Sequence, residues 1–167
     1  MRFIPLFAAS AVLLLAGCST VEKSSPPPQA TKLQAGMDVS EQELVKTGEA
    51  FFHQIEKALR EKNHADFVAL YVNEHKQRIT KPVFDQMSAS FCASNGKLKQ
   101  FRYIGTVNKY SSRILLLGAV FERTPQVNEQ LKKAGYDPAA IPDTESLVQM
   151  VLGKTDQGWK IIQMGIL

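Results

Sequence analysis

Three histidines recur at a regular interval in the middle of the chain. His53, His64 and His75 are eleven residues apart, which would bring them near one face of a single unbroken helix. At about 1.5 Å rise per residue, neighbouring members of the set would lie about 16 Å apart, too far for one metal ion to bind two of them. The spacing therefore predicts no metal site, and no cofactor is expected.

The chain has two cysteines, Cys18 and Cys92. Cys92 lies in the stretch "FDQMSASFCASNG", with no neighbouring histidine or basic cluster to activate a thiol, so we interpret it as a small buried apolar residue. Cys18 directly follows an apolar run, Phe3 to Leu15, that begins after the basic Arg2. The run is shorter than the roughly 20 residues that a membrane-spanning helix needs, and its three-part pattern is typical of a secretory signal.

The stretch Leu15-Ala16-Gly17-Cys18 resembles the lipobox of bacterial lipoproteins. This resemblance implies that residues 1–17 are a lipoprotein signal peptide and that Cys18 carries the lipid as the first residue of the mature protein. The alternative is an ordinary cleaved signal with Cys18 as a bystander. Ser19 follows the cysteine in place of the aspartate that retains enteric lipoproteins in the inner membrane, which implies a periplasm-facing anchor in the outer membrane; a Gram-positive surface is the other option.

The amino-acid composition changes along the chain, which predicts a tether followed by one folded domain. Residues 18–40 hold the cysteine and a Ser- and Pro-rich segment with few large apolar side chains, so we predict a disordered tether. Residues 41–167 have the length of a single domain. The net charge of +4 is small and spread along the chain, without the basic stripe that phosphate-backbone binding requires, so nucleic acid is not an expected partner.

Apolar periodicity predicts three helices after the tether. Ser40 and Glu43 fit a capping box, and apolar residues then recur every three or four positions through Leu59. A short second helix is predicted over Ala65 to Tyr71. A third helix begins near Pro82, with packing residues at Val83 or Phe84, Met87 and Phe91, and ends at Asn95-Gly96.

After Gly96 the period changes to that of strands. Phe101, Tyr103 and Val107 alternate with polar residues, which predicts a strand with one buried face. The run "RILLLGAVFER" predicts a strand covered on both sides or at a tight curve of the sheet, and Arg102 is expected to pair with Glu122 across it. The last 23 residues predict two strands joined by a tight turn at Gly158. A long connection, residues 124–144, includes a predicted helical turn at Gln126 to Ala134.

Helices followed by a meander predict an α+β domain in which the N-terminal helices pack on a curved four-stranded antiparallel sheet. This order of elements, with the closing "GWKIIQMGIL", resembles the cone-shaped domains of the nuclear-transport-factor-two-like superfamily. The resemblance covers residues 41–167. Such domains include isomerases, dehydratases and binding modules, and they often dimerise through their sheets, so a homodimer is an expected assembly while activity does not transfer.

The residues leave three functions open. An enzyme of the isomerase or hydratase kind would use His53 as its candidate base, with Tyr71, Tyr103 or Glu122 nearby, although none of these forms a motif. A binding domain would hold a hydrophobic small molecule in the cone, or an envelope protein through Tyr103 and the exposed Tyr136, Ile141 and Pro142. A passive structural lipoprotein is the third. Since motifs for catalysis are missing from the sequence, a binding or interaction domain is the leading hypothesis.

Overall fold

The computed structural model describes residues 40–143 and 145–166. Cys18, the lipobox and the predicted tether up to residue 39 lie outside these ranges. In the described ranges the helices are α1 (Glu41–Arg60), α2 (His64–Ala69), α3 (Asn73–Lys76), α4 (Lys81–Ser94) and α5 (Pro125–Lys133). The strands are β1 (Asn95–Lys109), β2 (Ser112–Arg123), β3 (Glu145–Thr155) and β4 (Gly158–Ile166). Of these helices, none combines the length and apolar character needed to cross a lipid bilayer.

The four strands form one antiparallel sheet in the order β1-β2-β3-β4. Apolar residues of α1, α2 and α4 are buried together with those of one sheet face, among them Phe52, Phe67, Phe84, Leu117 and Met150. The predicted α+β class, with helices packed on a four-stranded antiparallel sheet, is confirmed.

Helix α1 begins where its sequence predicts. The Ser40 hydroxyl accepts a hydrogen bond from the backbone N–H of Glu43 at 3.2 Å, which satisfies one of the free donors of the first turn. The Glu43 carboxylate lies 3.5 Å from Trp159 Nε1 on β4. Halfway along the helix, Gly48 faces Leu115 so closely that an added Cβ would clash with the leucine side chain. The missing side chain therefore lets α1 approach the centre of the sheet.

Residues close in sequence determine where α2 and α4 begin. Lys62 has a positive φ of 55° after α1, and the Asn63 side chain then accepts from the N–H of Asp66 to cap α2. Pro82 lies in the first turn of α4, where the missing N–H costs no hydrogen bond. The short α3 was not predicted. Helix α5 begins at Pro125, one residue before the predicted turn.

Strand β2 is fully buried on one face and mostly half-buried on the other. Its residues Leu115, Leu117 and Ala119 are fully buried under the helices, whereas the alternate residues Ile114 and Leu116 are half-buried on the other face. Of the two alternatives predicted for this run, a strand covered on both sides is therefore wrong, and a strand at a tight curve of the sheet stays a prediction. The continuous apolar run reflects a sheet with a half-apolar outer face, which periodicity cannot distinguish from full coverage.

Strand β1 departs from simple alternation. Tyr103 pairs with Leu117 and Gly105 pairs with Leu116, so β1 has one extra residue at this point. Such a bulge moves every following side chain to the opposite face. Val107 consequently pairs with Ile114 on the outer face and is 53% exposed, which contradicts its predicted position on the buried face.

Arg102 reaches a different partner from the one expected. Its Nε and Nη2 donate to Glu145 on β3, at 2.6 and 2.7 Å, and not to Glu122. The pair spans β2 above Gly118, where an added Cβ would clash with the glutamate. Arg102 therefore reaches across a whole strand, because the strand between has no side chain at that position.

The β3–β4 turn follows the sequence prediction. Gly158 has a φ of 95°, in the region that favours glycine, and the Thr155 hydroxyl donates to its carbonyl oxygen at 2.8 Å. The turn sets the register that places the end of β4 beside the helices.

Candidate functional site

A cleft of about 630 Å³ lies between α4 and the end of β4. Its volume lies within the range of small-molecule sites. The lining is mostly apolar: Ile55, Leu59, Phe67, Tyr71, Val83, Met87, Phe91, Met164, Gly165 and Ile166. Four neutral polar residues complete it: Gln86, Ser90, Ser94 and Asn95.

Helix α4 forms one wall because it has two apolar sides. Phe84 and Ser88 face the core and are completely buried, and the Ser88 hydroxyl donates to the carbonyl oxygen of Leu59 at 2.6 Å, which joins α4 to α1. Val83 and Met87 lie on the adjacent side and are 45% and 40% exposed. Spacing of four residues places these two on neighbouring turns, so they form an apolar rim.

Strand β4 forms the opposite wall. Its edge is covered at Ile161, whose N–H donates to Leu70 and whose carbonyl oxygen accepts from Val72, at 2.9 and 3.0 Å. Farther along, Met164 pairs with Met150 and Ile166 pairs with Val148, so both share the helix-facing side of the sheet. The cleft lies beyond the covered part of the strand, where β4 continues past the residues that follow α2.

Tyr71 is the ionisable residue of the cleft lining. Its side chain is packed against Phe67 with ring centroids 5.3 Å apart, and burial raises the pKa of its hydroxyl to about 12. No described group lies within hydrogen-bonding distance of that hydroxyl. Tyr71 therefore stays neutral at physiological pH and has a hydrogen bond to offer to a ligand.

His53, the candidate base, does not line this cleft. It is exposed on α1, with its ring centroid 5.8 Å from that of Phe101 and 6.2 Å from that of Phe52. His64 is the first residue of α2, and its Nε2 lies 2.7 Å from the carbonyl oxygen of Ile79. Within the described ranges no group of histidine, cysteine and acidic residues could hold a metal ion.

Tyr103 is on β1 and lies beside the first turn of α1, away from the cleft. Its hydroxyl donates to the Glu41 carboxylate at 2.5 Å and lies 2.7 Å from Thr106 Oγ1. Partial removal from solvent raises its pKa, and the hydrogen bond to Glu41 adds to the effect. Tyr103 therefore anchors the first turn of α1 to β1.

The other expected contact residues lie in the connection after β2. Tyr136 is 60% exposed, and Ile141 is half-buried. Here Asp143 accepts from Lys99 at 2.7 Å and lies 3.8 Å from Arg123, and these cations hold the pKa of the Asp143 carboxyl below its usual value. Neither Tyr136 nor Ile141 lines the cleft.

Only some of the cleft residues could be predicted from the sequence. Met87 was predicted to pack in the core, and Met164 and Ile166 had no assigned role. The sequence feature that could have predicted the cleft is the second apolar side of α4. Phe84 and Phe91 form a stripe that is sufficient to pack the helix on the core, and Val83 and Met87 are apolar residues in addition to it.

Comparison with known proteins leaves the family open. No family model matches the chain, and no curated protein matches it. A SEC-C motif-containing protein from Rhodopseudomonas palustris is a similar solved structure, with a TM-score of 0.45 and 15% identity over 74% of this chain and 85% of that one.

Two further solved structures are similar. A candidate dehydratase of the NTF2-like family from Streptomyces avermitilis has a TM-score of 0.41 and 11% identity, over 75% of this chain and 95% of that one. The intermembrane space region of the chloroplast protein ARC6 has a TM-score of 0.35 and 11% identity, over 73% and 95%. Because these TM-scores are all below 0.5, the likenesses assign neither a family nor an activity to this chain.

Proposed function

We propose that the protein is a lipid-anchored envelope protein whose folded domain binds a small apolar molecule in the cleft between α4 and β4. The cleft is the observation that carries the binding function: it combines a volume of about 630 Å³ with an apolar lining. The lipobox resemblance at Cys18 supports the anchor and an outer-membrane, periplasm-facing location. The two halves of the proposal are independent and are tested separately.

The chemistry of the lining narrows the ligand. Apolar side chains of Phe67, Phe91 and Met164 favour a hydrocarbon body, because transfer of apolar surface from water is the main gain in such a site. The polar side chains among the described lining residues are all neutral, and they include the Tyr71 hydroxyl, Gln86, Ser90 and Asn95. The ligand is therefore an uncharged or weakly polar molecule with a hydroxyl or carbonyl group.

The same lining favours binding over acid–base catalysis. General acid or base catalysis works best with a group whose pKa is near the working pH. Among the described residues of the lining there is no carboxylate, imidazole or amine side chain, and burial raises the pKa of Tyr71 to about 12. His53 lies outside the cleft, so an isomerase or hydratase reaction has no base there.

A fluorescent apolar probe tests the cleft. We expect N-phenyl-1-naphthylamine to bind the chain comprising residues 19–167 saturably, with an increase in emission. Met87→Glu places a charge in the apolar rim and should strongly weaken saturable binding, because a bound apolar molecule would remove water from the carboxylate. Val107→Glu is the matched control, since Val107 is 53% exposed on the other face of the sheet. Equal binding by both variants would exclude the cleft.

Mass spectrometry tests the anchor. In cells that process bacterial lipoproteins, we expect the N-terminal peptide to begin at Cys18 and to carry acyl chains, and the protein to float with membranes. Two or three chains anchor a protein stably, whereas one does not. Cys18→Ala should block processing and acylation. An unmodified peptide that begins elsewhere would contradict lipidation and would leave the cleft proposal unaffected.

A further inference from the structure

The turn between β1 and β2 presents an aromatic ring to solvent. Tyr110 is 93% exposed. The next most exposed large apolar or aromatic residue of the described chain, Tyr136, is 60% exposed. Its φ is 44°, in the left-handed region that glycine and asparagine adopt most readily. Arg113 Nη1 donates to the carbonyl oxygens of Tyr110 and Ser112, at 3.3 and 3.0 Å, and so braces the turn. The ring therefore projects from a well-defined tip.

The residues near Tyr110 along β1 and β2 are apolar and basic. Val107 and Ile104 on β1 are 53% and 43% exposed, and Lys109 and Arg113 flank the tyrosine in sequence. From Asn95 to Phe121 the chain has lysines and arginines but no aspartate or glutamate. A tyrosine with basic neighbours is the combination found at membrane interfaces, where the ring lies at headgroup level and the cations meet phosphate groups.

The tip lies at the end of the domain where α1 begins. The Tyr103 hydroxyl bonds to Glu41 at 2.5 Å and lies 2.7 Å from Thr106 Oγ1, so the first turn of α1 adjoins this part of β1. Tyr110 is four residues past Thr106, about 13 Å farther along the strand. The β3–β4 turn is at the same end, since Ser112 pairs with Gly153. We name this end the tether pole, because residues 1–39 precede it.

We infer that the tether pole contacts the lipid surface, with the Tyr110 ring in the interfacial region of the bilayer and Lys109 and Arg113 beside the phosphates. The inference rests on the anchor in the proposed function, because a lipid at Cys18 would be joined to this pole and would keep the domain near the membrane. The length of chain between Cys18 and Ser40 leaves the domain within reach of the surface. The Tyr110 tip then fixes the orientation that a tether alone would leave free.

Contact quenching by brominated lipids measures this orientation. The probe is the mature chain from Cys18, with Cys92→Ala and Trp159→Phe, joined through the Cys18 thiol to a maleimide lipid. It is placed in vesicles of phosphatidylethanolamine and phosphatidylglycerol that contain brominated acyl chains. Tyr110→Trp supplies the reporter, and Tyr136→Trp, at an exposed position after β2, is the matched control.

We expect strong quenching of the tryptophan at position 110 and little at position 136. We also expect Lys109→Glu, in the chain with the reporter at 110, to remove most of the quenching. Quenching that is absent at 110, equal at both positions or greater at 136 would overturn the inference, and the first of these would favour a protein partner for the tip. Since the lipid is attached chemically, failure here is distinct from failure of Cys18 acylation in cells.

Discussion

Tyr71 combines a ring in the core with a hydroxyl that lacks a hydrogen bond from any described group. Burial raises its pKa to about 12, against about 10 for an unperturbed tyrosine. Between these values the unfolded chain releases a proton that the folded chain retains. The free energy of unfolding therefore has its full value below pH 10 and decreases as the pH rises towards 12, by about 3 kcal/mol in total.

Tyr71→Phe should remove this alkaline loss of stability. The substitution deletes the titrating hydroxyl but keeps the ring that packs against Phe67. Urea unfolding at a series of pH values from about 9 to about 12 should show a shallower decrease for the variant than for the wild type. Tyr110→Phe is the matched control, because it makes the same substitution at a ring that is 93% exposed. Parallel curves for wild type and Tyr71→Phe would contradict the assignment.

At the scale of elements, Ser88 is the polar link between α4 and α1. The residue is completely buried, and its hydroxyl donates to the carbonyl oxygen of Leu59 at 2.6 Å, near the end of α1. Ser88→Ala removes this hydrogen bond and leaves Leu59 with a poorly solvated acceptor, so we expect a loss of about 1 kcal/mol in the free energy of unfolding.

The matched control for this prediction is Ser90→Ala. Ser90 is exposed two residues farther along the same helix, so both substitutions bring the same gain in helix propensity. The difference between the two variants in urea unfolding isolates the buried hydrogen bond. If Ser88→Ala were as stable as Ser90→Ala, the contact between the two helices would carry no net stability.

The helices were predictable because their signals are local. The Ser40 cap, the Pro82 first turn and the apolar stripes each lie within a few residues of the boundary they set, and α1 and α4 begin as predicted. Strand faces were less predictable. The bulge between Tyr103 and Gly105 leaves no signature in the alternation of side chains, yet it decides that Val107 faces outward.

The cleft was not predictable from the same signals, since it depends on how separate elements fit together. Met87 and Phe91 occupy similar places in the α4 sequence pattern, but Phe91 is 9% exposed and Met87 is 40% exposed. Among the described residues, those after α2 cover β4 at Ile161, whereas Met164 lines the open cleft. Such a gap is a tertiary feature, and no local pattern encodes it.

At the scale of the whole molecule, α1 separates two ends with different chemistry. The helix begins at the tether pole, where Glu41 meets Tyr103, and ends where Arg60 donates to the carbonyl oxygens of Asn95 and Gly96 at the start of β1. Asn95 also lines the cleft. A helix of 20 residues is about 30 Å long. The cleft therefore lies near the end of α1 that is opposite the tether pole, about a helix length from it.

The final prediction concerns which part of the chain folds by itself. The buried apolar residues of the described chain all lie between Leu44 and Ile161, and the cap of α1 is completed by Ser40. A chain of residues 40–167 should therefore unfold in one cooperative transition, at the same urea concentration as residues 19–167. Circular dichroism and Trp159 fluorescence should report coincident curves.

A shorter chain provides the internal comparison. Removal of Ser40 leaves the Glu43 N–H without its side-chain acceptor, so a chain that begins at residue 41 should lose about 1 kcal/mol relative to one that begins at Ser40. If residues 40–167 were instead less stable than residues 19–167, or unfolded in two steps, the segment before Ser40 would have to contribute to the core. The folded domain would then begin earlier than the composition of the chain predicts.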